Sequence, residues 1–472
     1  MADDRRALVA GVDSSTQSTK VVVCDATTGE VVRTVRAPHP EGTQVHPDRW
    51  WDAYLAATAD GLLEGVSAIA VGGQQHGMCA LDESDAVVRE ALLWNDTGSA
   101  QASRDLVSEL GGVAAWVDRT GSVPVPSFTV TKLRWLAEHE PDLAARVASV
   151  VLPHDWLTGQ ILKQGNAFER WTTDRGDASG TGYFSPETGD YVPELLELAF
   201  GRTVDTPAVL GPRGAAGRTA AGLLVGPGTG DNMGAALGLG LEQGDVVVSL
   251  GTSGAVFADH PAPVKDVTGD VAGFASATGG HLPLMCTLNA ARVLTAAAQM
   301  VGTDLAGLDR LALAAQPGAQ GLTLLPYLDG ERTPNLPEAT GTLGGLTRAN
   351  ATPENLARAA VEGMLANLAA GVDDLRGLGI PVSRVLLIGG ASASRAVRAV
   401  APALFGVPVA VPAPGEYVGI GAARQAAWVL SGEAEPPPWT VTIEDTVDPP
   451  GGGGGADVRE RYAVLLATVH RV

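Results

Sequence analysis

Short apolar runs alternate with polar turns in the first part of the chain. The runs at 7–12, 21–24 and 31–35 are rich in valine and have the length of buried strands, and hydroxyl- or glycine-containing turns separate them. This pattern predicts a three-strand meander. A fourth run at 66–71 predicts another buried strand, which ends in the sequence Gly-Gly-Gln-Gln-His-Gly at 72–77. The polar residues at these strand ends are the first candidates for a functional site.

The same pattern begins again in the second half of the chain. Apolar runs flank a glycine and hydroxyl turn at 251–254, as the first two strands flank the turn at 13–20. Two similar strand–turn–strand units predict an internal duplication and therefore paired domains. Further on, 353–378 has the spacing of a long amphipathic helix, and at 385–390 a short apolar run leads into two glycines.

Asp231 lies in a glycine-rich stretch. Glycines at 226, 228, 230 and 234 surround it, so that backbone or a ligand can approach closely. A helix of small residues is predicted to follow. Two interpretations stay open from the residues alone. Asp231 caps that helix by accepting from its first amides, or it acts as a general base for a hydroxyl group.

Composition and charge exclude several classes of function. The 472 residues suffice for two or three domains, and a formal charge of −21 disfavours a nucleic-acid partner. The three cysteines are widely spaced, which disfavours a zinc site and favours reduced thiols in a cytoplasm. Residues 1–6 do not resemble a signal peptide, and no apolar run is long enough to span a bilayer. The dipeptide Gly-Lys is absent, so a Walker A loop is excluded.

Taken together, these segments resemble the FGGY-type sugar kinases of the actin/hexokinase/Hsp70-like superfamily. The turns at 13–20 and 249–254 resemble the two phosphate loops of that family. The segment 230–234 resembles its catalytic-aspartate segment, and 387–392 resembles its adenosine-binding segment. Each motif is short, but their order and spacing make the resemblance specific.

The resemblance implies an α/β fold of two ribonuclease-H-like domains with a cleft between them. It implies an N-terminal domain at 1–238 that binds sugar and carries the catalytic aspartate, and a C-terminal, ATP-binding domain at 239–433. A Pro/Gly-rich tail with a short terminal helix would occupy 434–472. We expect a cytoplasmic enzyme, with a homodimer as a possible assembly and neither nucleic acid nor a membrane as partner.

The implied reaction is ATP-dependent phosphorylation of D-xylulose at its terminal (5-) hydroxyl, with ATP and Mg²⁺ required. The sugar class rests on Gln75 and His76, because family members that phosphorylate glycerol resemble Asn-Gln-Arg-Glu at this place. The resemblance implies the following roles: Asp231 as catalytic base, Asp13 as catalytic residue and magnesium ligand, Gln75, His76 and Asn232 as sugar-binding residues, and Thr16, Gly251, Thr252, Gly389 and Gly390 as ATP-binding residues.

Two alternatives to this reaction stay open. One is a kinase for another ketose or polyol, such as ribulose, fuculose, deoxyxylulose or glycerol. The other is a non-catalytic sugar- or ATP-binding regulator of the same fold, which the presence of both aspartates disfavours.

The chain also departs from the family pattern twice. Ser15 stands where the family usually carries glycine, and Gly98 stands near the place of a common arginine.

Overall fold

The computed structural model describes residues 7–451 and 454–471. Residues 1–6, on which the expectation of no signal peptide rests, lie outside the described part. The chain forms two compact units. The first contains the chain through Leu241 together with 260–282 and 415–440, and the second contains 242–259, 283–414 and the chain from Val441. The boundaries predicted at 238 and 433 differ from this division because two later segments return to the first unit.

The described strands are, in order, β1 (Leu8–Ser14), β2 (Ser18–Asp25), β3 (Val31–Pro38), β4 (Gln44–Val45), β5 (Val66–Gly73), β6 (Cys79–Leu81), β7 (Ala91–Leu92), β8 (Ser149–Val151), β9 (Thr172–Asp174), β10 (Phe184–Ser185), β11 (Asp190–Tyr191), β12 (Ala208–Leu210), β13 (Gly217–Arg218), β14 (Leu224–Val225), β15 (Thr229–Gly230), β16 (Asp245–Leu250), β17 (Gly254–Phe257), β18 (Ala272–Ala275), β19 (His281–Thr287), β20 (Thr323–Leu325), β21 (Thr342–Gly344), β22 (Arg384–Ile388), β23 (Val409–Pro412) and β24 (Ile443–Val447).

The described α-helices are α1 (Asp48–Ala57), α2 (Ala100–Leu110), α3 (Val113–Thr120), α4 (Thr129–His139), α5 (Pro141–Ala144), α6 (Pro153–Gln164), α7 (Arg175–Ser179), α8 (Pro193–Phe200), α9 (Asp231–Leu239), α10 (Ala291–Met300), α11 (Leu305–Ala314), α12 (Pro353–Gly377), α13 (Arg395–Phe405), α14 (Tyr417–Ser431) and α15 (Gly454–His470). Short 3₁₀ helices occupy Ala319–Gly321 and Gly390–Ala393. None of the helices within 7–451 and 454–471 has the length and apolarity needed to cross a membrane.

The first unit is a sheet covered by helices on both faces. Its strand order is β13-β14-β5-β1-β2-β3, and β15 also pairs with β5. Strands β1, β2 and β3 form the predicted antiparallel meander. Alternate residues of β1 point to opposite faces, so Val12 joins a core with Trp50 and Trp156, while Val9 packs against Ala422 and Ala426 of α14. This layering confirms the predicted α/β class.

The second unit is built around a sheet in which β19, β17, β16, β22, β23 and β24 follow one another. Its strand–turn–strand unit, β16 and β17, is antiparallel as predicted, whereas β16, β22 and β23 run parallel. The predicted tail contributes β24, which pairs with β23, and α15, whose Tyr462 hydroxyl donates to the Tyr327 hydroxyl at 2.9 Å. The described tail is therefore largely part of a folded unit, because it completes a sheet edge and a core.

Candidate active site

Three neighbouring strands of the first unit end side by side. Strand β5 runs parallel to β1, with Asp13 opposite Gly72, and parallel to β15, with Gly230 opposite Gly73. Loops that follow the carboxyl ends of parallel strands meet at one edge of a sheet, where open α/β folds bind their ligands. Asp13, the segment 72–76 and Asp231 come from distant parts of the sequence, and the sheet brings them to one edge.

Asp231 is the first residue of α9, and the N-cap is Gly230, with no side-chain cap. The prediction that Asp231 occupies the N-cap position is therefore wrong, although its side chain does accept from an early amide of the helix. Its Oδ1 accepts from the backbone N–H and the side-chain amide of Asn232, at 2.8 and 2.9 Å, whereas Oδ2 accepts no hydrogen bond from the described residues. Burial raises the pKa of Asp231 to about 7, with a further contribution from the charge of Asp13. A carboxylate with one oxygen held, the other open and a pKa near neutrality suits a general base.

Gln75 follows β5 and is buried beside the loop that carries Asp231. A Cβ added to Gly230 would lie 2.8 Å from Gln75 Cγ, so the glutamine side chain packs directly on this glycine. Its Nε2 donates to the Gly176 carbonyl at 3.5 Å. The neighbouring Asn232 is also at this edge, where its amide donates to Asp231. The sugar contacts expected of both residues stay predictions.

His76 is held in an uncommon backbone conformation. Its φ of 68° lies in the left-handed region, which a residue other than glycine adopts only when its surroundings impose it. The ring stacks on Phe128 at a centroid distance of 4.6 Å, and Nδ1 lies 2.7 Å from the Gly180 carbonyl. Phe274 lies 5.9 Å from the ring. Sequence reasoning missed both phenylalanines, because an isolated aromatic residue in a helical or apolar segment gives no local signal of a site.

Asp13, the penultimate residue of β1, has one paired and one unpaired carboxylate oxygen. Lys20 Nζ lies 3.3 Å from Asp13 Oδ2 and 2.6 Å from Glu416 Oε2. Oδ1 is buried and has no hydrogen-bond partner among the described residues. Burial raises the pKa of Asp13, and the Lys20 charge opposes this rise. Because Mg²⁺ prefers oxygen ligands, this unpartnered carboxylate oxygen fits the predicted magnesium ligand.

The first turn forms without the glycine that the family usually carries. Ser15 does not adopt a left-handed conformation, and its backbone N–H donates to the Ser18 carbonyl at 3.1 Å. Thr16 Oγ1 accepts from Trp94 Nε1 at 2.8 Å, which fixes the predicted ATP-binding hydroxyl. Gly98 donates its backbone N–H to Asp96 Oδ1 at 2.9 Å, so that turn is closed by a carboxylate.

In the second unit, four predicted ATP-binding residues lie at the ends of two paired strands. Gly251 and Thr252 follow β16, and Gly389 and Gly390 follow β22, which runs parallel to it. Gly389 has a φ of 88°, and an added Cβ would lie 2.6 Å from the carbonyl carbon of Leu250, so only glycine fits there. Thr16, the fifth residue, belongs to the first unit.

A helix begins beside the turn that follows β16. The backbone N–H of Ala291, the first residue of α10, donates to the Gly251 carbonyl at 2.9 Å. The turn is therefore packed against a helix N-terminus, where the helix dipole favours phosphate.

Sequence reasoning also missed a buried cluster beneath the first unit's site. His154, Asp155 and Asp177 are fully buried, and their ligand atoms lie within 4.8 Å of one another. The available signal was the pair His154-Asp155 at the start of α6, a helix that is otherwise buried along most of its length. A buried charged residue needs a partner of opposite charge, which the helical pattern alone does not identify.

The amino-acid sequence is similar to those of known carbohydrate kinases. The family described as "FGGY family of carbohydrate kinases" matches this chain with its N-terminal domain at residues 8–238 and with its C-terminal domain at residues 246–430. A xylulose kinase of Streptomyces coelicolor is 46% identical over 442 residues, which cover 90% of this chain and 89% of that protein.

The fold also matches solved structures of carbohydrate kinases. The structure of a xylulose kinase from Bifidobacterium adolescentis matches with a TM-score of 0.89 and 46% identity, over 98% of this chain and 99% of that one. A glycerol kinase from Plasmodium falciparum, with ADP, matches with a TM-score of 0.84 at 16% identity, over 99% of this chain and 98% of that one. At that identity the second likeness shows the fold alone.

Proposed function

The chain belongs to the FGGY family of carbohydrate kinases, and from this premise we propose that it transfers the γ-phosphoryl group of ATP to the terminal (5-) hydroxyl of D-xylulose. The 46% identity to relatives named xylulose kinases supports the choice of sugar. The observation that carries the reaction is the meeting of Asp13, Gln75 and Asp231 at one edge of the first sheet.

Asp231 takes the proton from the attacking hydroxyl. Support comes from Oδ2, which accepts no hydrogen bond from the described residues, and from burial, which raises the pKa of Asp231 to about 7. The sugar oxygen then attacks the γ-phosphorus as the proton passes to the carboxylate, and the bond from the γ-phosphorus to the β–γ bridging oxygen breaks, so that ADP is the leaving group. A base whose pKa is near the working pH is efficient because it is largely deprotonated yet still basic.

Gln75, His76 and Asn232 bind the sugar hydroxyls. His76 presents an imidazole whose plane is fixed by stacking on Phe128 and whose Nδ1 is fixed by the Gly180 carbonyl. A ring held on two sides loses little freedom when it binds a hydroxyl group. Gln75 packs on Gly230, so its amide lies close to the base-bearing loop.

ATP binds through Gly251, Thr252, Gly389 and Gly390 of the second unit, and Thr16 supplies a hydroxyl to the phosphates. Amides of glycine turns and a helix N-terminus favour phosphate oxygens. Asp13 would hold Mg²⁺, which neutralises charge on the phosphate groups when bound. The buried, unpartnered Oδ1 of Asp13 supports this role.

The cellular compartment and the oligomeric state are also proposals. Cys24 and Cys79 are buried thiols that form no disulfide, which agrees with a reducing cytoplasm. The homodimer stays a prediction from the family resemblance.

An ADP-release assay tests this function. The purified enzyme is supplied with ATP and Mg²⁺ and with D-xylulose, D-ribulose, L-fuculose, 1-deoxy-D-xylulose, glycerol or no acceptor. We expect the highest kcat/KM with D-xylulose and little ADP without an acceptor. Equal ADP release without any sugar would refute the kinase, and a higher kcat/KM for another acceptor would replace D-xylulose.

A further inference from the structure

His154, the second residue of α6, is fully buried among three carboxylates. Its Nδ1 lies 2.5 Å from Asp177 Oδ2, and its Nε2 lies 3.2 Å from Asp155 Oδ1 and 3.9 Å from Asp174 Oδ1. Burial opposes a charge on the ring, but these carboxylates outweigh burial and raise the pKa of His154 to about 10. The carboxylates therefore favour the protonated ring, which offsets the charge of a buried acidic cluster.

The same residue supports two backbone segments of the candidate active site. A Cβ added to Gly228 would lie 2.2 Å from His154 Cδ2, and a Cβ added to Gly73 would lie 2.9 Å from His154 Cβ. Gly228 is three residues before Asp231, and Gly73 is two residues before Gln75. Because glycine has no side chain, His154 packs directly on the backbone of both segments.

Asp177 extends this support to the sugar-binding residues. It lies in α7, where the Gly176 carbonyl accepts from Gln75 Nε2 at 3.5 Å. The carbonyl of Gly180, at the end of the same helix, lies 2.7 Å from His76 Nδ1. The position of α7 therefore sets the orientation of both Gln75 and His76.

We propose that His154 is a positioning residue for phosphoryl transfer. Its ion pair with Asp177 fixes the helix whose carbonyls orient the sugar-binding side chains, and its ring fixes the loop that leads to Asp231. The proposal rests on the roles proposed above for Gln75, His76 and Asp231. His154 acts only through these residues, and it couples sugar binding to the placement of the base. A displacement of about 1 Å in such a site costs about 100-fold in rate.

The cluster has donor types that also bind metals, and Nε2 of His154, Oδ1 of Asp155 and Oδ1 of Asp177 have no hydrogen-bond partner among the described residues. Nδ1 of His154 and Oδ2 of Asp177 form a hydrogen bond with each other. The surrounding carboxylates raise the pKa of His154 and so favour a ring protonated on both nitrogens, which has no lone pair to offer a metal ion. The geometry therefore favours an ion pair with a positioning role.

Kinetics of His154→Asn and Asp177→Asn test the proposal. Asparagine at 154 retains an N–H donor close to the position of Nδ1 but removes the charge. We expect the KM for D-xylulose to rise about tenfold or more and kcat to fall about 10- to 100-fold, because both segments shift. The KM for ATP should stay within about twofold, because its proposed ligands lie mostly in the second unit. Asp177→Asn should act in the same direction with a smaller effect, because the oxygen of the new amide can still accept from Nδ1–H.

Trp156→Phe is the matched control. Trp156 is on the same helix, and its ring packs against Trp50 in the core at a centroid distance of 6.2 Å. We expect this variant to lower Tm and to leave kcat and both KM values unchanged. The proposal is overturned if His154→Asn also lowers only Tm. If His154→Asn does not fold, Asp177→Asn decides, and sugar kinetics within about twofold of wild type overturn the proposal.

The wild-type sugar panel separates this result from the proposed function. If the wild type prefers another sugar, that finding corrects the proposed substrate, and the variants are compared with the preferred sugar. If the wild type uses no acceptor, both proposals fail. Wild-type turnover with unchanged variants overturns only the positioning role.

Discussion

Replacing Asp231 with asparagine should abolish most turnover without loss of fold. Asparagine has nearly the same shape, and its Oδ1 can still accept from the Asn232 backbone N–H, as Asp231 does at 2.8 Å. It cannot accept the hydroxyl proton. Loss of a general base costs about 10²–10⁴ in rate, so kcat should fall by that factor while ATP and D-xylulose still bind.

The same substitution should make the protein more stable at neutral pH. Burial raises the pKa of Asp231 from 3.8 to about 7, so the folded state binds this proton more tightly than the unfolded state does. That contribution to stability is complete below the unfolded pKa and is lost as the pH rises through the folded pKa. Asparagine does not titrate. The Tm of Asp231→Asn relative to wild type should therefore increase between acid and neutral pH.

The size of this stability effect follows from the shift and the partial exposure of the side chain. One pKa unit corresponds to about 1.4 kcal/mol, but Asp231 is only half-buried, so we expect about 1–2 kcal/mol at pH 8. For a unit of this size that is a gain of about 2–6 °C in Tm. Asp231→Ala has the same loss of charge but also loses the Asn232 hydrogen bonds, so its gain should be smaller.

The assay pairs single-turnover rates with thermal unfolding from about pH 5 to 8, the range that spans the raised pKa. In the wild type, kcat/KM should rise with pH and level off above an apparent pKa near 7, and the variant should lack this dependence. Retention of more than about a tenth of wild-type turnover by Asp231→Asn would refute the role of base. A Tm difference that does not change with pH would refute the raised pKa.

Three further substitutions test the other proposed roles. His76→Ala should raise the KM for sugar about 10- to 100-fold and leave ATP binding unchanged, because a buried polar contact with the sugar is lost. An unchanged sugar KM would show that the ring only packs against Phe128. Asp13→Asn should raise the Mg²⁺ concentration needed for half-maximal rate, because a neutral oxygen binds the ion less tightly. The measurement is a Mg²⁺ titration of the rate, and an unchanged titration would refute Asp13 as a magnesium ligand. Gly389→Ala should raise the KM for ATP more than that for sugar, because its Cβ would lie 2.6 Å from the Leu250 carbonyl carbon, and equal effects on both would refute a nucleotide role.

Strands and helices whose structure is determined by residues close to one another in the sequence could be predicted. Valine-rich runs and polar turns predicted β1, β2 and β3, and the helix predicted at 353–378 is Pro353–Gly377. Strands and helices of this kind follow from local periodicity, because one face or both faces must be buried. The glycines around Asp231 marked the loop that carries it, also by a local signal, since only glycine permits such close packing.

Features that depend on distant parts of the chain could not be predicted in this way. The return of 260–282 and 415–440 to the first unit is a matter of tertiary contact, and no local pattern specifies it. The pairing of His154 with Asp177 joins residues 23 positions apart across a helix and a loop. The sequence shows that a buried histidine needs a partner, but the partner is chosen only when α6 and α7 meet.

The packing of α9 against α14 explains why Asp231 is held firmly. A Cβ added to Gly421 would lie 1.8 Å from the Gly234 carbonyl oxygen, and one added to Gly238 would lie 2.2 Å from the Tyr417 carbonyl oxygen. The two helices therefore touch backbone to backbone, which small residues alone permit. Because α14 also packs on β1 and β5, the helix that begins at Asp231 is fixed to the strands that carry Asp13 and lead to Gln75. The base proposed here would need little reorganisation on such a scaffold when the sugar binds, which is the condition for efficient proton transfer.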